Sequence, residues 1–442
     1  MLDIRDFFQA TNPANTLFIE DPEADQKYYI DFSGVRGGHV IEELRDQITL
    51  WAPEQPTCQL LTGHIGCGKS TELLRLKTEL EREHFHVVYF ESSQDLEMGD
   101  VDIGEILLSI TCRVTQSLSH WQPELPKRLP QLLRGMIKLL DSEITSPDLR
   151  QLSLDARNLA QLAAGIRQVT AKAKASPELR SKLRAYLGPR TSSILEMINQ
   201  ELLEPAITAL KEEGKKGLVV IVDNLDKVHS SPKAWGRPQQ EYLFIDRGEQ
   251  LRSLNCHLVY TMPMALRFSN ELDLLNQRFL STPKVLPMVP VKLRDGRECV
   301  AGMDKLREMV LARAFPTLSV SQRWHQVSQV FDRPETLDRL CRVSGGHVRN
   351  LLRMLNESIV KQRGLPIDDQ SVDEVIRAQR NERLLALTEF EWGLLRRVQA
   401  QKKVVGDDHY QLLIRSLFVY EYQDAKGSWF DINPILIEES KL

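Results

Sequence analysis

The segment LLTGHIGCGKSTELL, residues 60–74, constrains this chain more than any other. An apolar run ends at Leu61, a glycine-containing loop follows, and a helical pattern begins near Lys69. The loop sets Gly63, four spacers (His64, Ile65, Gly66 and Cys67), then Gly68, Lys69 and Ser70 in the order of a phosphate-binding P-loop. Glycines let backbone N–H groups turn inward around an anion without side-chain clash. A helix starting at Lys69 points its positive dipole end at the same anion. Lys69 then serves the β- and γ-phosphates, the Ser70 hydroxyl serves Mg²⁺, and Thr71 closes the nucleotide-contacting set 63–71. The pattern implies ATP binding with Mg²⁺.

Composition narrows the setting. A chain of 442 residues has room for two or three domains, each burying a core. Its net charge of −4 excludes a polyanion-coating protein, so any nucleic-acid surface is local. No apolar run reaches about 18 residues, and MLDIRDFF lacks the charge and apolar regions of a secretory leader, so a cytoplasmic protein with no membrane span is expected. The six cysteines show no CxxC spacing, which indicates neither a zinc site nor a disulfide framework. Cys67 lies inside the P-loop, so modification of its thiol is expected to block nucleotide binding.

Residues 1–32 read as a short polar lead containing Asp21-Pro22, ending in an alternating run, Tyr28 to Phe32, that suits a small edge strand. The next segment has a helix face of Val40, Ile41, Leu44, Ile48 and Leu50, started at Gly37-Gly38. Val35 and Arg36 ahead of it are candidates for the adenine side of a pocket, or form a plain linker turn. FHVVYFES, 85–92, is an apolar run fit for a buried parallel strand, and 101–118 has helical spacing. From 121 to 213 the pattern is helical, cut by prolines including Pro123 and Pro147. Its middle is basic (Lys172, Lys174, Arg180, Lys182, Arg184, Arg190) and reads as a solvated face or a local nucleic-acid or partner surface.

KKGLVVIVDNLDKV, 215–228, is a buried strand ending in Asp223, where α/β folds place ligand-binding groups. A carboxylate there can hold Mg²⁺, the second half of the nucleotide signature, or Walker B strand. HLVYTM, 257–262, ends in Thr261, whose hydroxyl could orient an attacking water or the γ-phosphate, or simply start a turn before Pro263. A proline-interrupted fifth strand near the sheet edge follows. Residues 300–380 are helical, and Arg349 opens one of these helices, a place for a cation that suggests a nearby anion. From 384 onward, two helical patterns and two strands joined by DAKG match a winged helix. Asp407 and Asp408 at the start of its second helix weigh against DNA contact by that element.

Over most of 33–440 these segments together resemble an AAA+ ATPase of the initiator type, the clade of origin-recognition-complex and archaeal replication-initiator proteins. GHIGCGKS matches its Walker A motif and LVVIVDNLD its Walker B motif. The resemblance implies a sensor-1 role for Thr261, a trans-acting arginine finger at Arg278 and a sensor-2 role for Arg349. Asp223-Asn224 departs from the family's Asp-Glu, and Asp226 is the carboxylate left to orient water. The D-x-x-D ending, the long insertion and the Thr-Met-Pro strand end look like the STAND and KAP P-loop ATPases. The expected fold is therefore α/β: a P-loop core over 33–295 with a helical insertion at 121–213, a helical lid over 296–383 and a winged helix over 384–442. The expected function is an ATP-driven switch, with slow hydrolysis, that self-assembles and acts on double-stranded DNA or a protein effector. A STAND-like signalling or defence ATPase with an intramolecular winged helix and no DNA binding is the alternative.

Overall fold

A computed structural model describes residues 2–17, 26–119, 126–140, 158–406 and 408–437. The parts of the expected insertion at 121–125 and 141–157, together with Asp21-Pro22 and Asp407, lie outside the described residues. The chain divides into two compact units. One holds Ile41–Thr62 and Leu76–Lys284; the other holds Met1–Val40, Gly63–Arg75 and Val285–Leu442.

The first unit is built on parallel strands. These are β1 (Cys58–Thr62), β2 (Phe85–Glu91), β3 (Gly217–Asp223) and β4 (His257–Thr261), with a two-residue β5 (Lys284–Val285) where the units meet in the chain. The order across the sheet is β2-β3-β4-β1-β5. All seven residues of β3, GLVVIVD, are buried, because this strand lies between β2 and β4 and is covered on both faces. Its register sets Val219 beside Val87 and His257, and Asp223 beside Glu91. β5 is short because Pro283 and Pro287 flank it, and proline cannot donate to a ladder.

Helices Leu129–Leu140, Leu159–Ala175, Pro177–Leu187, Thr191–Ile198 and Glu204–Glu212 form the insertion. Ser176 caps the third of these through its hydroxyl to Leu179 N–H, with Pro177 in the first turn. Their apolar faces join the sheet in a single core running from Cys58 to Phe279. Each fully buried leucine or valine there contributes roughly 1.5–3 kcal/mol.

Part of the basic stretch is engaged within the protein, while Lys182 and Arg190 are exposed. Lys174 donates to the Ser93 and Gln94 carbonyls at 2.7 and 2.9 Å. Arg180 and Arg184 pair with Asp100 at 3.4 and 2.6 Å, and Arg184 also meets buried Glu105 at 3.2 Å. Arg190 lies over the Tyr186 ring. Lys174, Arg180 and Arg184 are thus not free cations: Asp100 and Glu105 lie far away in sequence, so local counting of charges missed them.

The second unit carries the helices Val300–Ala314, Pro334–Ser344, Val348–Gln362 and Asp369–Leu384, then Glu389–Gln401, Asp408–Arg415 and the antiparallel hairpin β6 (Val419–Asp424) and β7 (Gly427–Ile432). Arg294 fixes the hairpin tip by a fork to Asp424, 2.9 Å on each arm. At the N-terminus the structure adds one element and overturns one expectation. The polar lead contains a helix, Ile4–Ala10, capped by Asp3, with Phe7 buried and Asn356 donating to the Phe8 carbonyl at 3.0 Å. The run Tyr28 to Phe32 is not an edge strand: Gln26–Tyr28 is a short 3₁₀ turn and the rest is irregular. Side chains fix it instead, since the Tyr29 hydroxyl accepts from Arg75 at 2.9 Å and Arg75 also reaches Asp31.

Candidate nucleotide site

The P-loop runs from Gly63 to the start of the Lys69–Arg82 helix, as its glycine spacing requires. Gly63 and Gly66 have φ of +153° and +85°. A Cβ on Gly63 would come within 2.5 Å of the Leu286 carbonyl oxygen, and one on Gly66 within 2.7 Å of the His347 ring. Lys69 is buried, its ammonium donating to the Gly63 and His64 carbonyls at 2.9 and 3.0 Å. Cys67 is fully buried. Ser70 and Thr71 are half-buried on the first turn of the helix.

Three contacts hold this loop from residues far along the chain. His347 Nε2 lies 2.8 Å from the Ile65 carbonyl, and His347 Nδ1 accepts the Asn350 N–H at 3.0 Å, capping the Val348–Gln362 helix. These partners dictate the tautomer. A carbonyl can only accept and an amide N–H can only donate, so the ring is neutral with its proton on Nε2. Burial, with Arg349 and Arg383 nearby, pushes the His347 pKa down to about 4. Next, Arg349 N–H donates to the Gly66 carbonyl at 3.2 Å, while its side chain is exposed. Finally, Glu421 N–H in β6 donates to His64 Nε2 at 2.9 Å. Tyr420, the neighbouring hairpin residue, packs its ring 5.8 Å from His64 and 5.9 Å from His347.

Arg36 lies on the same loop. It is buried, donates to the Cys67 carbonyl at 2.7 Å and sits over the Phe32 ring. Its Nε and Nη1 have no hydrogen-bond partner among the described residues. Glu72, one turn into the P-loop helix, is also buried; burial raises its carboxyl pKa, with Arg36 and Arg75 opposing. Burial and the Glu72 charge likewise hold the Tyr29 hydroxyl well above its ordinary range.

The remaining candidates stand in the sheet-based unit. Asp223 is buried at the end of β3; its Oδ2 accepts from the Tyr89 hydroxyl at 2.8 Å and its Oδ1 from Asn224 N–H at 2.6 Å. Asn224 takes the left-handed conformation, φ +64°, and donates from Nδ2 to Glu91 Oε2 at 2.8 Å. The Thr261 hydroxyl accepts Leu225 N–H at 2.9 Å and Asp226 N–H at 3.4 Å, tying the turn after β3 to the end of β4. Arg278 lies in the Leu272–Phe279 helix and pairs with Glu249. Sequence reasoning did not single out Glu91, His347 or Tyr420. Glu91 was findable by the rule that selected Asp223, a polar residue at the C-terminal end of a parallel strand.

The Ser70 hydroxyl in one unit and the Asp223 carboxylate in the other are each hard oxygen donors of the kind Mg²⁺ takes. No metal-holding group of three or more His, Cys, Asp or Glu occurs among the described residues. No helix among the described residues is long and apolar enough to cross a membrane.

No protein-family model and no curated protein matches the sequence. Among solved structures, the chain is similar to a RuvB variant of Thermotoga maritima, at 11% identity and TM-score 0.35 over 90% of this chain and 92% of that one. It is similar to the Walker-type ATPase of Pyrococcus abyssi, at 13% identity and TM-score 0.39 over 89% and 93%. It is similar as well to Cdc6p of Pyrobaculum aerophilum, at 13% identity and TM-score 0.37 over 94% and 96%.

Proposed function

We propose that this chain is an ATP-binding switch, with slow ATPase activity, in which the state of the P-loop is passed to the C-terminal helix–helix–hairpin module. The observation that carries the proposal is the hydrogen bond from β6 to a P-loop side chain, Glu421 N–H to His64 Nε2, beside the His347 clip on Ile65. A P-loop that reshapes around phosphate changes the loop segment these bonds grip, so phosphate binding is felt at the hairpin. In this reading the P-loop backbone and Lys69 hold the phosphates, and Ser70 and Asp223 are the Mg²⁺ ligands. Bound Mg²⁺ supplies charge neutralisation on the phosphate oxygens. Thr261 and Arg349 respond to the γ-phosphate, and Arg278 acts on the ATP of a neighbouring copy.

The hairpin's contacts with the P-loop also support a second reading. In it the winged-helix-like module is an intramolecular regulator, and the switch addresses a protein effector rather than DNA. Fluorescence anisotropy of labelled duplex DNA separates the two. It is run with Mg²⁺-ATP, with Mg²⁺-ADP and with Lys69→Ala, at two salt concentrations. Binding that requires ATP, weakens with salt and is lost in Lys69→Ala assigns the switch to DNA. ATP binding without DNA binding in any state assigns it to a protein partner.

A further inference from the structure

Position 224, next to the metal-ligand candidate Asp223, is an asparagine, and an amide cannot accept a proton from water. The neighbouring strand supplies a carboxylate at the same level. Asp223 and Glu91 are register partners at the C-terminal ends of β3 and β2. Register partners on adjacent strands emerge on the same face, with strand axes about 4.8 Å apart. Tyr89, two residues before Glu91 and hence on that face too, confirms the geometry through its 2.8 Å hydroxyl bond to Asp223 Oδ2. The left-handed turn at Asn224 then presents its amide to both residues around it. It donates from Nδ2 to Glu91 Oε2 at 2.8 Å and to the Ser93 hydroxyl at 3.3 Å.

The Glu91 carboxylate is therefore fixed by a neutral donor, beside a second carboxylate of different duty. Asp226 has a different setting. It lies on the 3₁₀ turn Leu225–Lys227, beyond the strand end, with its backbone N–H directed to Thr261. Glutamate also has one more methylene than aspartate with which to reach a water.

We infer that Glu91 is the general base of ATP hydrolysis in this chain and that Asn224 is its positioning residue. The inference rests on the ATPase reading above. The water oxygen forms a bond to the γ-phosphorus as the bond from that phosphorus to the β,γ-bridging oxygen breaks. The bonding pair leaves on ADP. The water proton passes to the Glu91 carboxylate and from there to solvent, so ATP and water give ADP and phosphate. Asn224 acts through Glu91, holding its Oε2 in place with one donated hydrogen bond.

The test measures steady-state turnover and equilibrium binding of Mg²⁺-ATP by wild type, Glu91→Gln, Asp226→Asn and Asn224→Ala, with thermal melts as the folding check. Glu91→Gln is nearly isosteric and keeps an acceptor for the Asn224 amide. Turnover is expected to fall about 100-fold or more in Glu91→Gln with ATP affinity unchanged, and only a few-fold in Asp226→Asn. In Asn224→Ala kcat is expected to fall while ATP affinity stays unchanged, a split that a merely structural role would not produce. Full turnover in Glu91→Gln, or loss confined to Asp226→Asn, overturns the inference. Wild type that binds ATP without turning it over also overturns it, while leaving the nucleotide-switch reading intact. Wild type that does not bind ATP removes that reading itself, and the assignment of Glu91 with it.

Discussion

Protonation of His347 is expected to loosen the grip on the P-loop, and the effect has a calculable size. The native ring has its pKa pushed from 6.5 to about 4, chiefly by burial. A second proton has no place: Nδ1 already accepts Asn350 N–H, so an Nδ1–H would face another donor. The unfolded chain therefore binds more protons than the native one between pH 6.5 and about 4. The stability this residue contributes is fully present above pH 6.5, is lost as pH falls through that window, and levels off below it. Linkage gives a loss of about 2 kcal/mol on going from pH 7.5 to 5. Other histidines, such as half-buried His86, whose pKa desolvation also lowers to about 4, add to the wild-type slope. The test is accordingly a difference.

His347→Asn keeps a good helix cap that does not titrate in this range, but it gives up the ring that reaches the Ile65 carbonyl. At pH 7.5 the variant should be less stable by roughly 1–3 kcal/mol for the stranded carbonyl. By pH 5 most of that gap should close. Urea unfolding followed by circular dichroism at both pH values reads the difference. A variant with the same pH slope as wild type would refute the reasoning.

Further outcomes follow from other contacts. Gly346→Ala would place a Cβ 1.6 Å from the Val289 carbonyl oxygen at a φ of +75°, so a loss of roughly 3–5 kcal/mol is expected in the urea midpoint. Arg184→Ala should cost roughly 3 kcal/mol, because it leaves buried Glu105 without its cation; a neutral result would mean that the basic stretch is a solvated face after all. Lys69→Ala should weaken ATP binding at least tenfold, about 1.4 kcal/mol, by calorimetry. Cys67 is fully buried, so a bulky maleimide should label it slowly in the native chain, and labelling should abolish ATP binding. Unchanged ATP affinity after complete labelling would remove the thiol from the account.

The parts legible in the sequence are those set by short-range pattern. Strands β1 to β4, the helix at Lys69 and the hairpin all follow from apolar runs, glycine spacing and turn residues. The side-chain bonds that define the P-loop's surroundings were not legible, because they join residues far apart in the chain. Nothing local in GHIGCGKS shows that His64 faces Glu421, or that His347 rather than Arg349 supplies the side-chain contact to the loop. The alternation of Tyr28 to Phe32 suggested a strand because sequence period is blind to the buried Arg75 that captures Tyr29. The basic run near 180 looked unpaired for the same reason. Glu91 differs: it stood in view at a strand end, and its meaning emerged only from its register with Asp223.

Amide hydrogen exchange of the hairpin tests the central claim most directly. Exchange across β6 is measured for wild type and Lys69→Ala, each without nucleotide and with saturating Mg²⁺-ATP. The account predicts that ATP changes protection of the Glu421 amide in wild type and leaves it unchanged in Lys69→Ala. ATP binding to wild type with no change at Glu421 would contradict it.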